Sequence, residues 1–176
     1  MTATATTIPV GDAREGRLPP LRRLLRAALA AATAAAGLDA RVFGWELRPT
    51  GPPADGRSWI EETLRPGPEL QIANGPPRTL TAAGLYVLVV RTPTGEGTGA
   101  LDAVCDAIDA AFSPGARLTA SPVGTDVARL RVDVTSVDPS PAAGGGVAGW
   151  GARSMRVGFT TTRLVAADGS PETFRA

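Results

Sequence analysis

The sequence predicts an α+β fold, a mostly antiparallel sheet of four or five strands with two helices on one face. Three observations carry this expectation: two amphipathic stretches at helical spacing, one continuous β-branched apolar run, and two alternating stretches near the C-terminus. A chain of 176 residues fits one domain and can bury a sizeable core.

The first helix lies between Pro19-Pro20 and Gly37. Proline suits a first helical turn, where a missing N–H costs nothing, and glycine suits a left-handed C-terminal cap. Leu18, Leu21, Leu25, Ala28, Leu29 and Ala32 share one face at spacings of three and four, with Arg22, Arg23 and Arg26 mostly opposite. The arginines and the alanine run also imitate a secretory or twin-arginine signal with cleavage near Ala36. A real apolar region would be richer in Leu, Val and Phe, so the amphipathic helix is the preferred reading. Residues 1–17 lack periodicity and are expected to form a flexible arm. Val42-Phe43-Gly44-Trp45 then reads as a short strand.

Residues 48–83 hold seven prolines and four glycines. Such a stretch in a compact domain points to an extended functional segment. A strand followed by a projecting arm is expected there. Trp59, Ile60, Leu64, Leu70 and Ile72 need either the domain's own sheet or a neighbouring subunit to cover them.

Leu85-Tyr86-Val87-Leu88-Val89-Val90 after Gly84 is the apolar run of a strand covered on both faces. A second helix follows from about Ala100 to Phe112, with Leu101, Val104, Cys105, Ile108 and Phe112 on one stripe and Asp102, Asp106 and Asp109 facing away. Leu130, Val132 and Val134 alternate with arginine and aspartate in one later strand. Met155, Val157 and Phe159 alternate with Arg156, Gly158 and Thr160 in another. Between these two, residues 138–151 form a Gly/Pro-rich loop around Trp150, and 166–176 are a polar tail. The single domain thus spans 18–165.

Composition prunes the chemistry. The chain has no histidine and one cysteine, Cys105, which removes Ser-His and Cys-His nucleophile pairs, most zinc sites and any intrachain disulfide. Lysine is absent, so no Ser-x-x-Lys device exists either. Cys105 falls on the apolar stripe and reads as an inert core residue. The three aspartates of the second helix could mimic a metal cluster, but the wet face of a helix has the same spacing. Glu61 and Glu62 point to opposite sides of a strand and cannot act as one acid pair. Gly95-x-Gly97-x-x-Ala100 matches a loose dinucleotide pattern, yet no acidic residue ends a strand near Ser121 to hold a ribose. No catalytic residue, metal or cofactor is expected, and a small ligand- or nucleotide-binding domain stays as an alternative. The formal charge of +1 supplies no general drive toward nucleic acid or membrane.

Taken in order, these features resemble a known family. An N-terminal helix leads to Val42-Phe43-x-Trp45-Glu46, Arg48-Pro49-x-x-Pro52-Pro53, Ser58-Trp59-Ile60 and Leu64-Arg65-Pro66-Gly67. Then come Gly84-Leu85-Tyr86-Val87, Pro93-x-Gly95-x-Gly97, an Ala/Asp helix and two strands. This pattern is similar to small phage and prophage proteins described as tail terminator-like or tail completion proteins, over roughly residues 20–165. The resemblance implies a non-enzymatic virion protein, assembled in the host cytoplasm, whose copies form a hexameric ring. That ring would cap the tail tube, stop its polymerisation and dock to the head-tail connector, with genomic DNA passing without sequence-specific contact. Another neck component, a stopper or adaptor, is the alternative within assembly proteins. Trp59, Ile60, Leu64, Leu70, Ile72 and Trp150 are then expected at the subunit interface, with Arg22, Arg23 and Arg26 as a lumen or partner contact. On this reading Trp59→Ala would weaken rings and leave the monomer folded.

Overall fold

The computed structural model describes residues 6–10, 18–35, 41–44, 52, 54, 56–73, 75, 78–96, 98–122, 127–128, 130–141, 147–165, 171–172 and 174–175. In chain order these form β1 (Thr6–Val10), α1 (Leu18–Ala35), β2 (Arg41–Gly44), β3 (Trp59–Pro66), β4 (Leu70–Ala73) and β5 (Arg78–Pro93). A 3₁₀ turn (Thr94–Glu96) leads to α2 (Gly99–Ala111), β6 (Arg117–Pro122), β7 (Val127–Ala128), β8 (Leu130–Pro141), β9 (Trp150–Val165), β10 (Pro171–Glu172) and β11 (Phe174–Arg175).

The main sheet runs β1-β6-β8-β9-β5-β3-β2, with β10 beside β9 and β4 beside β5, while β7 and β11 pair separately. Its centre is five antiparallel strands, β6, β8, β9, β5 and β3, as the sequence predicts. Among the described strands only the short outer ones are parallel: β1 on β6 and β2 on β3. The spine is the β5–β9 pair, which holds an unbroken register from Arg78↔Val165 to Pro93↔Trp150. It exceeds the apolar run at Gly84–Val90 in both directions. The extra length is set by β9, a strand remote in sequence, rather than by local propensity.

Both helices lie on one face. Leu21, Leu25 and Leu29 of α1 and Leu101, Val104 and Ile108 of α2 meet Tyr86, Leu88, Val157 and Phe159 in one core. Gly84 belongs to that core's fit. A Cβ there would stand 2.4 Å from the Phe159 ring, so only glycine admits this aromatic across the strand pair. α2 ends where expected, with the Phe112 N–H bonded to the Ile108 carbonyl.

Several expectations change. Residues 6–10, assigned to a flexible arm, pair with 118–122 as an outer strand. Pro9 is tolerated there because an edge strand can leave one N–H position empty. The stretch 138–151 is not wholly a loop, since β8 runs to Pro141 and β9 starts at Trp150. In the polar tail, 171–172 pairs with β9 and 174–175 with β7. Gly37, Trp45 and the glycines at 144–146 lie outside the described residues.

Candidate interaction surfaces

The proline-rich segment divides into two parts with opposite fates. β3 enters the sheet between β2 and β5, pairing from Trp59↔Arg91 to Pro66↔Gly84. Trp59 is 1% exposed, and Ile60 and Leu64 are buried with it. These three residues, assigned to the subunit interface, are core side chains of their own chain. The prolines do not exclude a central strand because they stand at its end. Pro66 is the last paired residue, and the Gly67 N–H still reaches the Ala83 carbonyl at 2.8 Å.

Trp59 sits on the face away from the helices. Its ring meets Trp150 edge-on with centroids 6.4 Å apart, and the Arg91 guanidinium lies 5.6 Å from the ring centre. Trp150 is half-buried in this contact. Arg91 Nε also donates to Glu61 Oε1 at 2.8 Å, with both side chains almost fully enclosed. Nothing in the sequence pairs Glu61 with Arg91, since the two lie 30 residues apart. A glutamate and an arginine within runs that otherwise read as buried strands were the available signal.

Glu62, on the opposite side of β3 as alternation requires, faces the helices. It accepts from Tyr86 Oη at 2.6 Å and forms an ion pair with Arg26 of α1. Arg26, expected as a lumen or partner contact, therefore also ties helix to sheet while its side chain stays 44% exposed. Arg22 and Arg23 likewise have interactions within the chain. Burial first, then the Glu62 charge and hydrogen bond, hold the Tyr86 phenol well above its ordinary 10.0. A raised folded-state value gives stability that is complete below about pH 10 and fades as pH climbs from there toward the folded value. Tyr86→Phe strips Glu62 of a buried donor and is expected to cost about 1–3 kcal/mol at neutral pH. The variant should also lose less of its remaining stability at alkaline pH than the parent. Urea denaturation at neutral pH and near pH 11, taken here as about one unit above the free phenol, reads both effects. Equal alkaline losses would refute the assignment.

β4 behaves differently. It pairs only with β5 among the described residues, through a bulge between Gln71 and Ala73, and all four of its residues are exposed. Arg163 of β9 holds this strand in place through two bonds to Glu69, at 2.6 and 2.7 Å. Leu70 is 63% exposed and Ile72 62%, the two most exposed large apolar side chains described. Within the segment expected to project, Leu70–Ala73 thus pairs with β5 and extends the sheet, and only these two of the six assigned interface residues stand open.

Other sequence candidates settle quietly. Asp102 does not face solvent alone, because Arg153 donates to it at 2.6 Å. Asp106 and Asp109 are exposed. Among the described residues no group of three or more His, Cys, Asp and Glu could hold a metal, and no helix is long and apolar enough to cross a membrane. Cys105 is buried, and desolvation, the largest influence on it, raises its thiol above the ordinary value and makes it a poor nucleophile.

A family model described as phage tail terminator protein matches residues 21–158, well over half of the chain. No curated protein matches. One solved structure aligns over 88% of this chain and 98% of its own at 18% identity, with a TM-score of 0.46. That likeness is too small to carry an argument about fold or function.

Proposed function

Because the chain belongs to the phage tail terminator family, a family of structural tail proteins, we propose that its copies close into a hexameric ring. The ring caps the tail tube, halts its polymerisation and presents its far side to the head-proximal connector. Genomic DNA crosses the lumen without base-specific contact.

The observation that supports this reading is the β4 edge. Two large apolar side chains on a strand whose second side is unpaired among the described residues form a surface that invites another chain. Arg163 and Glu69 keep that strand in place, so the surface is preformed. It can recruit a neighbouring subunit at little ordering cost.

Light-scattering mass combined with negative-stain imaging of the purified protein tests the ring. A hexamer's mass and annular particles are expected. Leu70→Asp with Ile72→Asp should shift the mass to that of the monomer. Because both residues are exposed, stability should stay within about 0.5 kcal/mol of the parent. Rings that persist in this variant would remove β4 from the contact.

A further inference from the structure

Among the described residues no helix packs on the second face of the sheet, and at one end of that face Trp59, Glu61 and Arg91 are buried. Beyond that end β5 presents Leu85 and Val87, each half-buried. Register places Arg65 of β3 beside Leu85 and Arg156 of β9 beside Val87. Both arginines are exposed, and neither makes an ion pair among the described residues. Asp138 stands across from Arg156 on β8 and does not bond to it.

The far side of the domain carries the complementary pattern. α2 turns Leu101, Val104, Cys105 and Ile108 into the core, which leaves Ala103, Asp106, Asp109 and Ala110 exposed. Neither Asp106 nor Asp109 has an ion pair among the described residues. Alanines let a helix lie close to a flat sheet, and the aspartates flank them.

We propose that the Leu85–Val87 end of this sheet face in one copy receives the outer face of α2 from the next copy. Ala103 and Ala110 would cover Leu85 and Val87, with Asp106 against Arg156 and Asp109 against Arg65. The two surfaces lie on opposite sides of one domain, so neither can satisfy the other within a chain. They can meet only head to tail, the arrangement that closes into a ring when the rotation per step allows. Leu70 stands opposite Thr81 on the same face of β5, so this contact continues into the β4 edge. The inference rests on the ring reading and deepens it by naming both halves of the subunit contact.

Charge reversal and cross-linking test it together. Arg156→Glu or Asp106→Arg alone should raise the concentration needed for assembly about tenfold or more, as like charges meet. The double variant should restore most of it, as sedimentation velocity across a dilution series would show. Val87→Cys with Ala103→Cys keeps every charge and should give a ladder of disulfide-linked oligomers on oxidation, even if a charge variant fails to fold. A parent that forms rings, single reversals that assemble like it, and no ladder would overturn this contact and leave the ring reading standing. A parent that stays monomeric without cross-linking would overturn both. Arg156→Glu that weakens binding to a DNA duplex while leaving assembly unchanged would assign the face to nucleic acid and refute the proposal.

Discussion

Trp59→Ala is expected to destabilise the folded chain by about 3–5 kcal/mol, the range for emptying a large aromatic site. Trp59 is 1% exposed, and its loss would leave a void beside Trp150 and strip Arg91 of an aromatic neighbour. This reverses the outcome expected from the sequence, in which the variant stays folded and only rings suffer. Urea denaturation followed by far-ultraviolet circular dichroism decides between the two. An unmoved midpoint with lost rings would restore the interface role. Leu70→Asp is the internal contrast, since it should do the opposite on both measurements.

Glu61→Ala should cost about 3–5 kcal/mol as well, because it leaves the Arg91 charge enclosed without its partner. The side chains are 6% and 9% exposed, and the Nε–Oε1 distance is 2.8 Å. Removing both charges together tells a different story. Glu61→Leu with Arg91→Met should recover most of the loss, because a buried pair gains little over well-packed apolar groups once desolvation is counted. Denaturation midpoints of the two single variants and the double variant complete the cycle. The surface pair Arg117–Asp133, with side chains 54% and 30% exposed, serves as the reference. Asp133→Ala should change stability by no more than about 1 kcal/mol. Similar small effects at both pairs would mean that water reaches Glu61 in solution.

Local periodicity by itself determined much of this protein. The spacing of leucines set α1, the stripe from Leu101 to Phe112 set α2, and the alternations around Val132 and Val157 set two central strands. These patterns repeat within one element, so they are legible before any contact forms. Alternation also placed Glu61 and Glu62 on opposite sides of one strand, as their separate partners Arg91 and Tyr86 show. The order of short motifs pointed to the tail terminator family, which the match over 21–158 bears out.

Only the tertiary structure decided which apolar residues of the proline-rich segment are core and which are surface. Trp59, Ile60 and Leu64 lie opposite Arg91, Val90 and Tyr86, whereas Leu70 and Ile72 belong to a strand that pairs on one side only among the described residues. The two groups look alike in sequence, because side-chain type and proline spacing say nothing about how many neighbours a strand will have. Burial in a sheet is conferred by strands from distant parts of the chain, and in this domain β2 covers the second side of β3 from Trp59 to Glu62, whereas β4 pairs only with β5 among the described residues.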